Sequence, residues 1–247
     1  MTELLADTLA WFADPARWSL TEPSGVPFRV VEHLWVSLVA ILLAVVLAVP
    51  AALQLAHRRR AEALASSVVN LGRAIPSFGL IVLFWLLATR TGWVGTRFWP
   101  LALALTALAL PPVFTNTYTA VRNVDPAMVE AARGMGYTES QVLRQIELPL
   151  ASPVMLAGIR IAFLQVIATT AIGAIVTNGG GLGRFVIDGF ARGIAGRPTV
   201  LAGALLLAAL TLLADAAFGL LERLLIPHGV RSDATRADVA NRAGAAG

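Results

Sequence analysis

The sequence contains no cysteine, which excludes disulfides, thiolate metal sites and cysteine nucleophiles. Lysine is absent too, so all 19 basic residues are arginine. A phosphate-binding P-loop needs a lysine and a serine or threonine after its last glycine. The glycine run Gly179-Gly180-Gly181-Leu182-Gly183 is followed instead by Arg184-Phe185, and it reads as a tight turn. The three histidines, His33, His57 and His228, are far apart and lack ligand spacing, so each reads as an interfacial or solvated side chain. Charge is the largest deficit. Charged residues are 14% of the chain of 247, where a soluble domain carries about 25%.

What remains is mostly apolar: 57% hydrophobic residues and a mean hydropathy of +0.74. Too few polar groups are present to cover a water-exposed globule, so most of the surface must face lipid. The isoelectric point of about 10.8 does not mark a nucleic-acid binder. Its arginines are spread over short loops rather than gathered on one face.

Residues 1–32 read as an outer interfacial segment. Glu3, Asp7 and Asp14 interrupt the first apolar run, so a cleavable signal is not expected there. Leu4, Leu5, Leu9 and Phe12 fall near one helical face, as suits a short helix lying at the interface. Residues 33–227 read as an all-α membrane domain, and 228–247 as a polar tail of disordered composition.

Five apolar stretches are long enough to cross a hydrocarbon core of roughly 30 Å. They run Leu34 to Leu53, Val68 to Ala88, Trp99 to Val121, Val154 to Val176 and Val200 to Leu221. Irregular backbone cannot face lipid, so all five are expected to be helices. With the N-terminus outside and the C-terminus in the cytoplasm, twelve arginines fall inside and seven outside, as the positive-inside rule requires. Trp35, Trp85, Trp93 and Trp99 then fall at the outer interface, where such rings prefer to sit.

The loop at 122–152, on the cytoplasmic side in this topology, carries the most local information. Asp125 suits an N-cap and Pro126 a first helical turn. The helix that follows should stop at Gly136, which tolerates the left-handed backbone of a helix end. Thr138 with Gln141 forms a capping box for a second helix. That helix contains Val142, Leu143 and Ile146, is closed by Pro149, and is followed by a fresh start at Ser152-Pro153.

Glu130-Ala131-Ala132, Gly136, Ile146 and Leu148-Pro149 occupy seven defining positions across twenty residues. In that pattern the chain resembles the permease subunits of ABC importers, through their EAA motif. The resemblance implies a coupling helix that inserts into a groove on a separate cytoplasmic ABC ATPase. Glu130 would be a docking residue, Gly136 the bend, and Val142, Leu143 and Ile146 the apolar filling of the partner groove. It also implies no cofactor in this chain, with ATP and magnesium held by the partner. The implied partners are a second permease copy or sister subunit and an extracellular or periplasmic binding protein. The implied location is the bacterial inner membrane.

Further stretches resemble the osmoprotectant branch of that family: Ile75-Pro76-Ser77, Pro111-Pro112, Asn116-Thr117-Tyr118, Val124-Asp125-Pro126 and Ala157-Gly158-Ile159-Arg160. The implied substrates are glycine betaine, choline, carnitine or proline, with a permease for another small solute such as methionine as the alternative. Asn70 to Pro76 departs from the branch, as do the extra arginines and glycines of Gly189 to Pro198. A related GGLG stretch precedes a short re-entrant helix in such permeases, here Phe185 to Phe190.

Polar residues inside the spans are either pathway residues or hydrogen-bonding links between helices: Asn116, Thr169, Thr170 and Asn178. Asp215, an ionisable group within the fifth span, needs a water-filled face or a partner such as Arg160 or Arg73. Pro111 and Pro112 are expected to break the third helix, as a hinge or a packing kink. No nucleophile–base pair lies at membrane depth, so no catalytic residue is assigned.

Overall fold

Alanine recurs at every fourth position along the first long helix, and this stripe organises the bundle. In α2 (Val26–His57), Ala40, Ala44, Ala48, Ala52 and Ala56 are all buried. Such small side chains on one face let a second helix backbone come close. The neighbour is α4 (Trp99–Arg122), whose Thr106 hydroxyl donates to the Ala102 carbonyl at 2.7 Å and lies 3.3 Å from the Ala40 carbonyl of α2. The computed structural model describes residues 2–59, 63, 67–68, 74, 76–92 and 97–225, and every element among them is helical.

The other face of α4 meets α7 (Leu148–Thr177), again across glycines. A Cβ on Gly158 would stand 2.2 Å from the Asn116 Cβ, and one on Gly173 would stand 2.5 Å from Leu101 Cδ1. Two polar links tie α2 directly to α7. Ser37 Oγ lies 3.0 Å from Thr170 Oγ1, and His33 Nε2 lies 2.9 Å from the Ile167 carbonyl. His33 is completely buried. The expectation of an interfacial or solvated ring is thus corrected: a histidine inside the bundle satisfies a helix carbonyl.

Burial along the membrane-length segments separates the central helix from the peripheral one. The apolar core of α4 is 61% buried, while that of the last helix, α9 (Arg197–Leu225), is 6% buried. The exposed leucines of α9, among them Leu205, Leu212, Leu213 and Leu224, need lipid or another subunit.

Four of the five expected spans are long, apolar helices. The second is represented by α3 (Ser77–Arg90), a shorter apolar helix. Residues 69–73 and 75, which carry Arg73 and most of Asn70 to Pro76, lie outside the described residues, as do Arg60, Trp93 and the tail 228–247 with His228. The helix of the first expected span begins at Val26, eight residues before Leu34. Within the N-terminal segment, α1 (Thr2–Ala13) turns Trp11 inward, edge-on to Phe185 at 5.3 Å between ring centres, while Leu5 and Leu9 stay exposed.

Pro111 and Pro112 do not break the third span. Helix α4 runs unbroken through both. It is packed between α2 and α7, and the Asn116 side chain donates to the Pro112 carbonyl at 2.8 Å. Past α7, Gly180 and Gly181 take left-handed φ values of +83° and +54°. They lie so close to α7 and α2 that a Cβ would sit 2.4 Å from the Ala174 nitrogen or 2.5 Å from the His33 Cβ. The short helix expected beyond this turn is α8 (Gly183–Ala191).

Candidate functional site

The loop between α4 and α7 begins as its residues dictate. Asp125 Oδ1 accepts the Ala127 N–H at 2.9 Å and Pro126 opens α5 (Pro126–Gly134). The helix ends at Gly134, two residues before Gly136. Gly136 then reverses the chain with φ +88°, while the Tyr137 N–H returns to the Ala132 carbonyl at 3.2 Å. Gln141 Oε1 accepts the Thr138 N–H at 2.8 Å, the capping-box contact that starts α6 (Glu139–Gln141).

Beyond Gln141 the expectation is corrected. Pro149 does not close the second arm, and Ser152-Pro153 does not start a new helix. Val142–Glu147 forms a wide, π-type turn that feeds straight into α7, with the Leu148 N–H bonded back to the Leu143 carbonyl. Pro149 falls at the junction where the wide turn passes into α7. Pro153 cannot donate to the Pro149 carbonyl four residues earlier, and Ser152 Oγ does so instead at 2.8 Å. The serine that reads as a helix cap is a substitute donor inside a helix.

This wide turn changes which motif residues face outward. Glu130 and Ala131 are exposed and Ala132 is buried. Val142 has no exposure at all and belongs to the chain's own core, with Ile146 and Leu148 packed partly against the same core. Val142 is therefore unavailable to fill a partner's groove. Leu143 and Pro149 are half-buried. The apolar side chains that do face out lie on α5 and its end. Met128 is 47% exposed and Met135 70%, with Ala131 between them. Their spacing of three and four residues puts all three on one helical face. That spacing is visible in the sequence, but the motif drew attention to the second arm instead.

A polar cluster joins the loop to the end of α2. Arg133 donates to both oxygens of Glu139, from Nε and from Nη2, at 2.9 Å each. This hydrogen bonding raises the Arg133 pKa above its ordinary value. The same Glu139 Oε2 lies 3.1 Å from Nε2 of His57, the last residue of α2. His57 Nδ1 in turn lies 2.5 Å from Oε2 of the buried Glu147. His57 is half-buried at the end of α2. It sits between two carboxylates, because buried Glu147 needs a partner. Beside it opens a cleft of about 700 Å³ edged by Gln54, Arg58, Arg59, Ser140 and Leu143.

The candidate pathway residues are not brought together. Asn116 and Thr169 bond to carbonyls four residues back in their own helices, and Thr170 does so while also reaching Ser37. Asn178 caps the end of α7 in a left-handed conformation and accepts from Arg184. Asp215 has the expected arginine: Arg160 Nε stands 2.7 Å from its Oδ1, and Arg160 Nη1 stands 3.0 Å from Glu222. No cluster of potential metal ligands occurs among the described residues.

Comparison with known proteins places these features in a family context. Residues 36–227 match the family described as binding-protein-dependent transport system inner membrane component. The chain is similar to a carnitine transport permease protein of Listeria monocytogenes, at 35% identity over 79% of this chain and 84% of that protein. It is similar to a choline transport system permease protein of Bacillus subtilis, at 36% identity over 79% and 83%. An osmoprotectant import permease protein of Salmonella typhimurium is 33% identical over 81% and 91%. Among solved structures, an inward-facing methionine ABC transporter chain superposes with a TM-score of 0.67 at 26% identity, over 81% of this chain and 95% of that one.

Proposed function

Because the chain belongs to the inner membrane components of binding-protein-dependent transport systems, we propose that it is the membrane-spanning subunit of an ATP-driven importer for quaternary-amine osmoprotectants. Glycine betaine, choline and carnitine are the substrates meant, with proline as a further member of the class. The relatives named for carnitine, choline and osmoprotectants, at 33% to 36% identity, favour this over a methionine permease, whose solved relative shares 26%.

The observation that carries the coupling reading is the outer face of α5, where Glu130 and the Met128–Ala131–Met135 stripe stand free of the bundle. A helix of this kind docks by laying its apolar face into a groove, and flexible methionines adapt to the groove's shape. Glu130 sits beside the stripe, where a carboxylate meets an arginine or backbone N–H at the rim of the partner. The continuous path from the wide turn into α7 delivers a push on the loop to the fourth span without an intervening joint.

The partner ATPase holds the ATP and magnesium, and its closure on ATP draws two such loops together. The paired permeases then turn their shared pathway outward, towards a binding protein supplied by another chain. This subunit makes and breaks no bond. The experiment is reconstitution of the purified complex in proteoliposomes with its ATPase and binding protein. Uptake of radiolabelled betaine, choline or carnitine with ATP inside is the expected result. Uptake of methionine alone would overturn the substrate, and failure of the chain to retain any ATPase would overturn the role.

A further inference from the structure

His57 closes α2 at one point and touches the loop at two. Its Nδ1 lies 2.5 Å from Oε2 of Glu147 in the wide turn, and its Nε2 lies 3.1 Å from Oε2 of Glu139 at the start of α6. Glu139 is itself gripped through both oxygens by Arg133 at the end of α5. The chain Arg133–Glu139–His57–Glu147 therefore spans both arms of the loop and ends on the first span. Each ring nitrogen therefore faces a carboxylate oxygen, one from each arm of the loop. Hydrogen bonds to carboxylate oxygens at these distances are directional. Glu147 is 6% exposed, and a carboxylate so placed is costly without its partner. The imidazole is rigid and planar, so the loop cannot shift relative to α2 without moving α2 or breaking these bonds.

We infer that His57 is a positioning residue of the coupling device, a strut that makes the first span move with the loop as well as the fourth. The alanine stripe of α2 against α4 then carries that movement into the centre of the bundle. This rests on the reading of the loop as the ATPase dock. A bond that served stability alone would change how much complex assembles, but not how much substrate enters for each ATP hydrolysed.

The test measures both quantities in the same proteoliposomes, with the complete complex and radiolabelled glycine betaine, choline and carnitine. His57→Gln keeps the volume but only one of the two donor directions, and uptake per ATP is expected to fall about tenfold. His57→Arg supplies donors for both carboxylates, and is expected to recover at least half of the ratio. Glu139 is 61% exposed, so Glu139→Gln supplies a second measurement in a complex that assembles normally, with an expected fall of about threefold. An unchanged ratio in His57→Gln and Glu139→Gln overturns the strut alone, as does an arginine variant no better than the glutamine one. A wild-type complex with neither uptake nor hydrolysis stimulated by the loaded binding protein overturns the importer reading, and the strut falls with it.

Discussion

At the scale of single residues, the structure repeatedly assigns polar side chains to backbone defects. Ser152 supplies the donor that Pro153 lacks, Asn116 donates to the carbonyl of Pro112, and the threonines of α7 bond to their own preceding turns. Gly136 is defined by conformation rather than by space. A Cβ there would meet nothing within 4 Å, yet φ is +88°. A side chain in that region costs about 1–2 kcal/mol whatever its size, with asparagine the best tolerated. Gly136→Asn is therefore expected to keep most transport, while Gly136→Val lowers thermal stability in detergent and loosens ATPase retention. Equal behaviour of the two variants would contradict this account.

At the scale of elements, the two arms of the loop divide the work. The second arm is anchored inward by Val142 and Glu147, and the first presents Met128, Ala131 and Met135. Placing a charge in a groove that expects methyl groups leaves it desolvated without a partner. Met128→Glu with Met135→Glu is expected to weaken retention of the ATPase by at least tenfold in pull-downs, while membrane insertion stays normal. Val142→Glu should instead lower the amount of folded protein, since that site lies within the chain's own core. If the two changes gave the same phenotype, the division between arms would be wrong.

At the scale of the whole molecule, the bundle presents a strongly apolar outside and polar clusters towards its ends. Arg160 with Asp215 and Glu222 lies towards one end, and the Arg133–Glu139–His57–Glu147 cluster lies at the loop. The positive-inside rule predicts that this loop lies in the cytoplasm. The native absence of cysteine allows a direct check. A single cysteine at exposed Ser140 is expected to react with a membrane-impermeant thiol reagent only in inverted vesicles, and one at exposed Thr21 only in intact spheroplasts. The reverse pattern would invert the topology and remove the ATPase from reach of the loop.

Much of this was written in the chain. Length and continuity of apolar runs determine membrane helices, because no other unpaired backbone survives in lipid. Cap and turn chemistry at Asp125, Gly136 and Thr138 acts over a few residues, so it could be read locally. The spacing of the seven motif positions marks the loop in the sequence itself. Tertiary structure alone decided which face of each element is buried, and so turned Val142 inward and left Met128 and Met135 outside. It also kept α4 continuous through two prolines, since packing from both sides outweighs a local propensity to break. His57 and Glu147 are separated by 90 positions, and no periodicity links residues so distant. Only the folded bundle could bring that histidine between its two carboxylates.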